Sequence, residues 1–285
     1  MAALNEIPFI KGHGTANDFV IIADLEGRRD VTADEVRFLC DRHLGIGGDG
    51  LLRVVRTAHL PEFAHLADAA EFFMDYRNAD GTVAEMCGNG VRVFIRYLDA
   101  VGLITDAEVV IGTRAGLRAC RMNADLTVSV DMGPALQPEH PSIPLVAIQG
   151  ELWPAVGVLM PNPHAVTFVD GLDEVGSLEQ APDVVPPTIF PDGVNVEFVV
   201  QRGPSHIAMR VHERGVGETR SCGTGACAAA WAGSQRYPGM DITGPDGIQV
   251  DVPGGTVHVR QLDSGSLELT GPATLVARGT VLLPS

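Results

Sequence analysis

Short apolar segments dominate the hydrophobic pattern of this chain of 285 residues. They are rich in β-branched and aromatic residues and are bounded by Gly, Pro or Asp, a pattern that predicts β-strands. The clearest are EFFMDYR, AEVVIGT, LTVSVDM, VNVEFVV, HIAMRVH and TLVAR. Helical periodicity is rarer. One helix is predicted in TADEVRFLCDRH, where Thr32 suits an N-cap and acidic residues follow in the first turn.

Two further helices are predicted in GVRVFIRYLDAVG and GACAAAWAGSQRY. Each is apolar around much of its circumference, which is typical of a helix enclosed by other elements. Each follows a glycine-rich turn headed by a cysteine, MCGNG at Cys87 and SCGTG at Cys222. The pattern therefore indicates sheets that wrap around buried helices.

Similar segments recur in the same order in the two halves of the chain. NDFVIIAD from Asn17 precedes NPHAVTFVD from Asn162 by 145 positions, and Cys87 precedes Cys222 by 135. We predict an α/β (α+β) fold of two pseudo-symmetric domains, each a mixed, largely antiparallel sheet around a central buried helix, with the active site between the domains. The predicted domains are residues 1–133, with a C-terminal strand 278–285 returning to them, and residues 134–277. The proline-rich segment 131–144 is the predicted linker.

Charge and composition limit which partners the protein can bind and in which cellular compartment it is expected. The chain has 36 acidic against 20 basic residues, a formal charge of −16 that would repel nucleic acid and anionic membrane surfaces. No apolar segment approaches the ~20 residues of a membrane span, and the N-terminal sequence lacks the features of a signal peptide. Five cysteines, an odd number, fit a reducing compartment. We therefore expect a cytoplasmic protein with neither nucleic acid nor membrane as partner.

Cofactor and metal chemistry find little support in the sequence. Lys11 is the only lysine, so a pyridoxal Schiff base would have to use that residue, and we expect no cofactor. No cysteine pair has zinc-knuckle spacing and no His-Glu-x-x-His occurs, so no metal is expected. GIGGDG, residues 45–50, matches a dinucleotide-binding pattern, but it follows a helix and precedes a strand, the reverse of the required context.

The two cysteine turns carry the candidate chemistry. At a helix N-terminus, N–H groups and the helix dipole favour a thiolate and can also bind a carboxylate, while the flanking glycines let a ligand approach the backbone. If the halves face each other, Cys87 and Cys222 flank one ligand. One thiolate could then remove a proton from a carbon while one thiol delivers a proton to the opposite face, which inverts the stereocentre.

Several motifs resemble signatures of the diaminopimelate epimerase family, in the family's order and over nearly the whole chain: GHGTANDF, DYRNADGTVAEMCGNGVR, NPH, PDGVNVEF and HERGVGETRSCGTGA. The resemblance implies cofactor-independent interconversion of LL- and meso-2,6-diaminopimelate, on the bacterial route to lysine and peptidoglycan. It also implies two similar mixed α/β domains with the active site between them, usually in a homodimer, and diaminopimelate as the small-molecule substrate.

The resemblance also implies roles for individual residues. Cys87 and Cys222 correspond to the acid–base pair, Glu213 to the residue that binds the α-ammonium group, and His164 to a histidine close to the catalytic cysteines. The backbone cradle of the reacting carboxylate corresponds to Gly88, Asn89, Gly223 and Thr224. The groups that hold the distal ammonium and carboxylate correspond to Asn17, Asn78, Asn162, Asn195 and Arg214.

Two positions depart from the family pattern. Gly50 stands where many members carry a polar side chain, and Pro161 stands where glycine is common. The first departure leaves one substrate contact in doubt, and the second puts the backbone around Asn162 in doubt.

Two other functions remain open on the sequence. A proline racemase-like epimerase also uses two cysteine turns, but the first usually contains Cys-Gly-His where this chain has Asn89. A non-catalytic protein could use the helix N-termini to bind an anion, with the thiols incidental.

Overall fold

The computed structural model describes residues 6–140, 142–148 and 150–283. The chain divides into two compact units, the first comprising residues up to Val130 together with those from Pro272, the second Asp131–Gly271. The domain bounds predicted from the sequence stay a prediction. Residues 1–5, 284 and 285 of the first predicted domain and residue 141 of the predicted linker lie outside the described residues.

The first unit is built on eight strands: β1 (Glu6–Gly14), β2 (Asn17–Ala23), β3 (Gly50–Arg56), β4 (Phe72–Asn78), β5 (Glu108–Thr113), β6 (Gly116–Met122), β7 (Thr127–Pro134) and β18 (Thr274–Leu282). They pair in the order β18-β1-β2-β3-β4-β5-β6-β7. The β2–β3 and β4–β5 pairs are parallel and the others are antiparallel. Strand β7 continues to Pro134, so the first residues of the predicted linker are in fact extended strand.

Two helices accompany this sheet, α1 (Ala33–Cys40) and α2 (Gly88–Ala100). Thr32 caps α1 as predicted, and Glu35 completes a capping box by binding back to the Thr32 backbone. Helix α2 is buried over most of its length and packs against β1, β2 and β18 among others. The helix is apolar around much of its circumference because other elements enclose it, as the sequence indicated.

The second unit contains ten strands: β8 (Leu145–Ile148), β9 (Glu151–Met160), β10 (Asn162–Phe168), β11 (Asp183–Val185), β12 (Asn195–Gly203), β13 (His206–Glu213), β14 (Gly217–Thr219), β15 (Ile248–Val252), β16 (Gly255–Gln261) and β17 (Ser266–Pro272). Its helix α3 (Gly223–Arg236) is lined with small residues and is buried along most of its length against β9, β10, β13 and β15. Short 3-10 turns, which the sequence did not predict, occupy 57–59, 61–66 and 172–175.

The two units repeat one succession of strand pairings. In the first unit, β1 to β7 pair consecutively as antiparallel, parallel, antiparallel, parallel, antiparallel and antiparallel. In the second, β9, β10, β12, β13, β15, β16 and β17 pair in the same succession. Helix α2 follows β4, and α3 follows the corresponding β13 with the short β14 between them. The predicted mixed α/β fold with a buried helix in each half is confirmed.

The six segments predicted as strands fall in β4, β5, β7, β12, β13 and β18. Within the described residues, no helix is long and apolar enough to cross a membrane.

Candidate active site

Cys87 is the N-cap of α2 in the first unit. Its backbone is extended, with φ −140° and ψ 116°, and its Sγ accepts a hydrogen bond from the Gly90 N–H at 3.4 Å. A Cβ at Gly90 would come 3.3 Å from the Leu52 side chain and 3.4 Å from the Cys87 Cβ. Glycine at this position thus lets the sulfur fold back over the helix N-terminus, where the backbone donors and the dipole favour negative charge.

Asn17 meets this sulfur from the start of β2. Its Oδ1 lies 3.6 Å from the Cys87 Sγ and 3.2 Å from Asn89 Nδ2, which donates to it. Its Nδ2 donates to Asp49 Oδ2 at 2.8 Å. The Asp49 carboxylate therefore determines which end of the Asn17 amide faces the thiol.

A tight hairpin turn places Asn17 there. Gly14 pairs with Asn17, and the two residues between them, Thr15 and Ala16, have positive φ angles of 49° and 62°. Such angles are unfavourable for residues with a Cβ. The hydroxyl of Thr15 accepts a hydrogen bond from Arg92 at 3.0 Å, which ties the turn to α2.

Arg92 is fully buried within the first unit. Besides Thr15, its guanidinium donates to Asn89 Oδ1 at 2.5 Å and to the Pro272 carbonyl at 3.0 Å. Because Asn89 Oδ1 is bound to Arg92, its Nδ2 is turned towards Asn17. The Asn89 side chain is thus engaged in addition to the backbone role that the family resemblance implies.

Charged residues form a second layer behind Asn17. Arg42 contacts Asp49 at 2.7 Å and Asp18 at 2.7 Å, and Lys11 pairs with Asp18 at 2.6 Å and donates to the Gly47 carbonyl. Burial alone would raise the pKa of Asp18, but the hydrogen bonds from Arg42 and Lys11 outweigh it and hold this pKa well below its usual range. Asp18 therefore stays ionised and keeps the layer fixed.

Gly50 and Asn78 face each other across the β3–β4 pair. Asn78 Nδ2 donates to Thr82 Oγ1 at 3.0 Å, which holds the turn after β4. A Cβ at Gly50 would lie 2.6 Å from the Tyr76 ring and 2.7 Å from the Arg77 carbonyl. The departure from the family pattern at Gly50 thus coincides with a backbone position that has no room for a side chain.

Cys222 occupies the same place in the second unit, as the N-cap of α3 with φ −120° and ψ 116°. Its Sγ accepts from the Gly225 N–H at 3.3 Å and lies 3.4 Å from the Thr224 hydroxyl. Only 6% of the residue is exposed, whereas Cys87 is half-buried. The two caps share a geometry but not an environment.

Electrostatics around Cys222 favour the neutral thiol. Burial raises its pKa well above the ordinary value, and the negative charges of Glu213 and Glu197 add to that effect. Burial also raises the pKa of Glu213, although hydrogen bonds with the Thr219 hydroxyl and with Cys222 oppose the shift. Glu213 thus lies beside the sulfur, as expected for a residue that binds a group on the reacting carbon.

His164 links two side chains in the second unit. Its Nδ1 lies 2.6 Å from Glu197 Oε1, and its Nε2 lies 3.0 Å from Asn162 Oδ1. Both His164 and Glu197 are fully buried. Asn162, at the start of β10, therefore has its amide oriented by a histidine.

Asn195 and Arg214 form a separate pair. The backbone N–H of Arg214 donates to Asn195 Oδ1 at 2.9 Å, and its guanidinium donates to the Asp192 carbonyl at 2.8 Å. Arg214 lines a cavity of about 210 Å³ together with Phe190 and His212. Its exposed guanidinium is well suited to a carboxylate.

The predicted site residues thus lie in both units, and some of them adjoin one of the two cysteines. Asn17, Gly88 and Asn89 surround Cys87, and Glu213, Gly223 and Thr224 surround Cys222. The sequence did not point to Asp49, Arg92 or Glu197. Asp49 lies in the rejected GIGGDG segment, and Arg92 ends the DYRNADGTVAEMCGNGVR motif. Glu197 is a charged residue inside the apolar VNVEFVV strand, which is the signal that could have revealed it.

Comparison with solved structures defines the fold. A probable proline racemase from Agrobacterium radiobacter has a TM-score of 0.68 at 15% identity over 98% of this chain and 93% of that one. A phenazine biosynthesis protein of the PhzF family from Bacillus anthracis has a TM-score of 0.69 at 17% identity, over 98% and 100%. These likenesses show the fold. Together with the cysteine cap on each buried helix, they define the structural class: a duplicated α/β fold with a cysteine at the N-terminus of the buried helix of each unit.

Sequence comparison gives the family. The diaminopimelate epimerase family profile matches residues 9–137 and 156–276. The diaminopimelate epimerase of Streptomyces coelicolor is 54% identical over 96% of this chain and 94% of its own length, and that of Corynebacterium glutamicum is 46% identical over 96% and 98%. The chain belongs to the diaminopimelate epimerase family.

Proposed function

We propose that the protein interconverts LL-2,6-diaminopimelate and meso-2,6-diaminopimelate without a cofactor, as a step in lysine and peptidoglycan precursor biosynthesis. The observation that carries this proposal is the matched pair of thiols, each an N-cap of a buried helix in one of two repeated units. The family membership supplies the substrate. The polar residues around each thiol suit an amino acid with charged groups at both ends.

In the proposed mechanism the thiolate of one cysteine removes the α-proton and the thiol of the other donates its proton to the opposite face of the carbon. The C–H bond breaks on one face and a new C–H bond forms on the other. The two sulfurs exchange protonation states, so one thiol and one thiolate remain at the end. No redox partner is required.

Negative charge develops on the substrate carboxylate as the proton leaves. The first N–H groups of an α-helix have no carbonyl four residues earlier to bind, so those at Gly88, Asn89, Gly223 and Thr224 are suited to stabilise that charge. Glu213 is suited to the α-ammonium group. For the distal end of the substrate we propose Arg214 and the four asparagines at positions 17, 78, 162 and 195, with His164 orienting Asn162.

Turnover in deuterated water tests the reaction. LL-diaminopimelate should gain deuterium at its α carbon and yield the meso isomer. Exchange into proline instead would favour the racemase alternative, and no exchange into either would favour a non-catalytic anion-binding protein.

Alanine substitution tests the roles of the cysteines. Cys87→Ala and Cys222→Ala should each reduce kcat by at least about 10²–10⁴-fold, the usual contribution of a general acid or base. Cys120→Ala is a matched control, since Cys120 is a buried cysteine in β6 to which the mechanism assigns no role. A doubly substituted protein, C87A with C222A, that still epimerised the substrate would refute the two-thiol scheme.

We further propose a cytoplasmic homodimer. The odd number of cysteines fits a reducing compartment. Strand β18 stands at one end of the strand order of the first unit and leaves most of its side chains exposed, including Val276 and Leu282. An exposed terminal strand with apolar side chains favours pairing with another copy.

A further inference from the structure

Glu197 occupies an unusual place for a carboxylate. It lies in β12, with β10 on one side and β13 on the other, and none of the residue is exposed. A carboxylate is costly to bury unless it is paired and hydrogen-bonded. Its presence in an otherwise apolar strand therefore calls for a physical reason.

Only one of its two oxygens has a partner. Oε1 lies 2.6 Å from His164 Nδ1, and the other ring nitrogen lies 3.0 Å from Asn162 Oδ1. Oε2 is buried and makes no hydrogen bond within the described part of the chain. The side chain thus holds the His164 ring in place through Oε1. Packing alone does not explain why a second, buried oxygen without a hydrogen bond is present.

The carboxylate lies directly behind the first turn of α3. A Cβ at Gly225 would be 2.7 Å from Glu197 Oε1 and 3.3 Å from the Cys222 sulfur. Gly225 is also the residue whose N–H donates to that sulfur. Glu197 therefore places a negative charge close to the Cys222 thiol, next to Gly225 in the first turn of α3.

The first unit provides an internal comparison. Residue 52 corresponds to 197 and residue 19 to 164, each 145 positions earlier, and the first unit has Leu52 and Phe19 there. The strand register agrees, since Leu52 pairs with Ile21 in β2 as Glu197 pairs with Val166 in β10. A Cβ at Gly90 would lie 3.3 Å from a Leu52 methyl group, the nearest atom to it. The repeated scaffold thus accepts an apolar pair at this place, and only the second unit has the charged one.

We propose that Glu197 is a positioning residue that makes the two cysteines chemically unequal, because it holds His164 against Asn162 and, together with Glu213, helps to keep Cys222 in the thiol form when no substrate is bound. The inference deepens the proposed function, on which it rests for the acid–base role of Cys222. A protonated Cys222 is ready to donate a proton.

Glu213, at the end of β13, is a second carboxylate near Cys222. It raises the pKa of the thiol in the same direction as Glu197 and more strongly, so the effect of Glu197 adds to that of Glu213. The His164 ring contacts Glu197 Oε1 at 2.6 Å. Strands β15 and β16, which also pack on α3, carry the half-buried Asp251 and Arg260, each paired with its own partner, His206 and Glu268.

The test measures the pH midpoint at which iodoacetamide alkylates each cysteine, resolved by peptide mass spectrometry. Glu197→Gln keeps an acceptor for His164 Nδ1–H and removes the charge. It should lower the Cys222 midpoint by about one pH unit or more, since a neighbouring charge shifts a pKa by roughly that amount. The Cys87 midpoint in the same samples should stay unchanged.

Asp251→Asn is the matched control, because Asp251 forms a histidine–carboxylate contact of 2.7 Å with His206 outside the site. It should leave both midpoints unchanged. In turnover, Glu197→Gln should move the alkaline limb of the kcat/KM profile to lower pH and leave KM within about twofold, because hydrogen bonding to His164 is preserved. An unshifted Cys222 midpoint in folded Glu197→Gln protein would overturn the inference.

A second variant covers the case in which Glu197→Gln does not fold. The double change H164F with E197L installs the pair found in the first unit, and apolar replacement of a buried ion pair is generally tolerated. It should lower the Cys222 midpoint and also raise KM, because Asn162 loses its partner. In the unaltered protein, a Cys222 midpoint at or below that of Cys87 would refute the inference without any variant.

Alkylation does not require turnover, so the two proposals can fail separately. Absence of deuterium exchange would remove the proposed function and leave the midpoints measurable. Normal exchange with an unshifted midpoint would remove only the role of Glu197.

Discussion

Asn17 and Asn89 lie next to Cys87, and a charged group fixes each amide on its other side. Asp49 accepts from Asn17 Nδ2, and Arg92 donates to Asn89 Oδ1. An amide can be turned by half a rotation at little cost, so its orientation depends on such anchors. The two charged residues therefore decide that an oxygen, not an NH₂ group, faces the Cys87 sulfur.

Replacement of Asp49 by asparagine tests this orientation. Asp49→Asn offers an NH₂ group as readily as an oxygen, so the Asn17 amide can reverse and point its Nδ2 at the sulfur. We expect kcat to fall about tenfold to a hundredfold, as for loss of an orienting contact near the reacting group, with a smaller change in KM. Steady-state kinetics from pH 6 to 9 measure both constants.

Asp34→Asn is the control for Asp49→Asn, because Asp34 is an exposed carboxylate in α1 that also pairs with an arginine, Arg37. A variant at Asp49 with unchanged kcat would show that Asn17 keeps its orientation without the carboxylate.

At the scale of elements, Asp75 joins three neighbouring parts of the first sheet. It lies on β4 and contacts Arg53 on β3 at 3.1 Å, Arg77 on its own strand at 3.0 Å and Arg114, in the turn between β5 and β6, at 2.7 Å. Only 3% of the residue is exposed. Burial acts to raise its pKa, but the arginines outweigh it and the pKa lies below the ordinary value of 3.8.

Asp75→Asn should lower the free energy of unfolding by about 3 kcal/mol at pH 7, because the change leaves the half-buried Arg77 and Arg114 without a counter-charge and the buried Arg53 with Asp24 alone. A depressed carboxyl pKa stabilises the folded state above the unfolded value and loses that contribution as the pH falls through the folded value. The difference between variant and parent should therefore be constant above about pH 5 and shrink below 3.8.

Urea unfolding at pH 7, 5 and 3 measures these differences, with Glu71→Gln as the control for an exposed ion pair with Arg56. Equal destabilisation at all three pH values would contradict the role assigned to the Asp75 charge.

The elements themselves were largely predictable, whereas the support for the site was not. Periodicity and turn residues act locally, so the capped α1 and the two cysteine-headed helices follow from the sequence. Strand order depends on pairing between distant segments, which no local pattern contains. Asp49 and Glu197 escaped prediction for the same reason: each acts on a residue more than thirty positions away, across neighbouring strands or the helix end.

At the scale of the whole molecule, the two units share one order of strand pairings and differ in the side chains that this order carries. The order of pairings and the cysteine caps are shared, because both follow from backbone geometry. The side chains next to the two cysteine caps differ, because residues 52 and 197 can be exchanged without a change in the register of strand pairing. The charged groups therefore differ in kind, with Asp49 and Arg92 behind the Cys87 cap and Glu197 behind the Cys222 cap.

The proposed homodimer gives a prediction at this scale. Light scattering after size-exclusion chromatography should give a mass close to twice 30.1 kDa. The double change V276E with L282E should yield the monomer. If β18 lies in the dimer interface, the introduced carboxylates of the two copies would be brought together and would repel each other. Val110→Glu, at another exposed strand position, should remain dimeric. A monomeric parent protein would contradict the proposal.

The single lysine of the chain has a practical consequence. Lys11 is 14% exposed and is held by Asp18 and the Gly47 carbonyl, so acylating reagents and aldehyde fixatives meet no accessible ε-amine among the described residues. Its cysteines can therefore be labelled with thiol-directed probes in a mixture in which other proteins are modified at their lysines. Tethering of this enzyme to a support is best planned around an introduced handle and not around amine coupling.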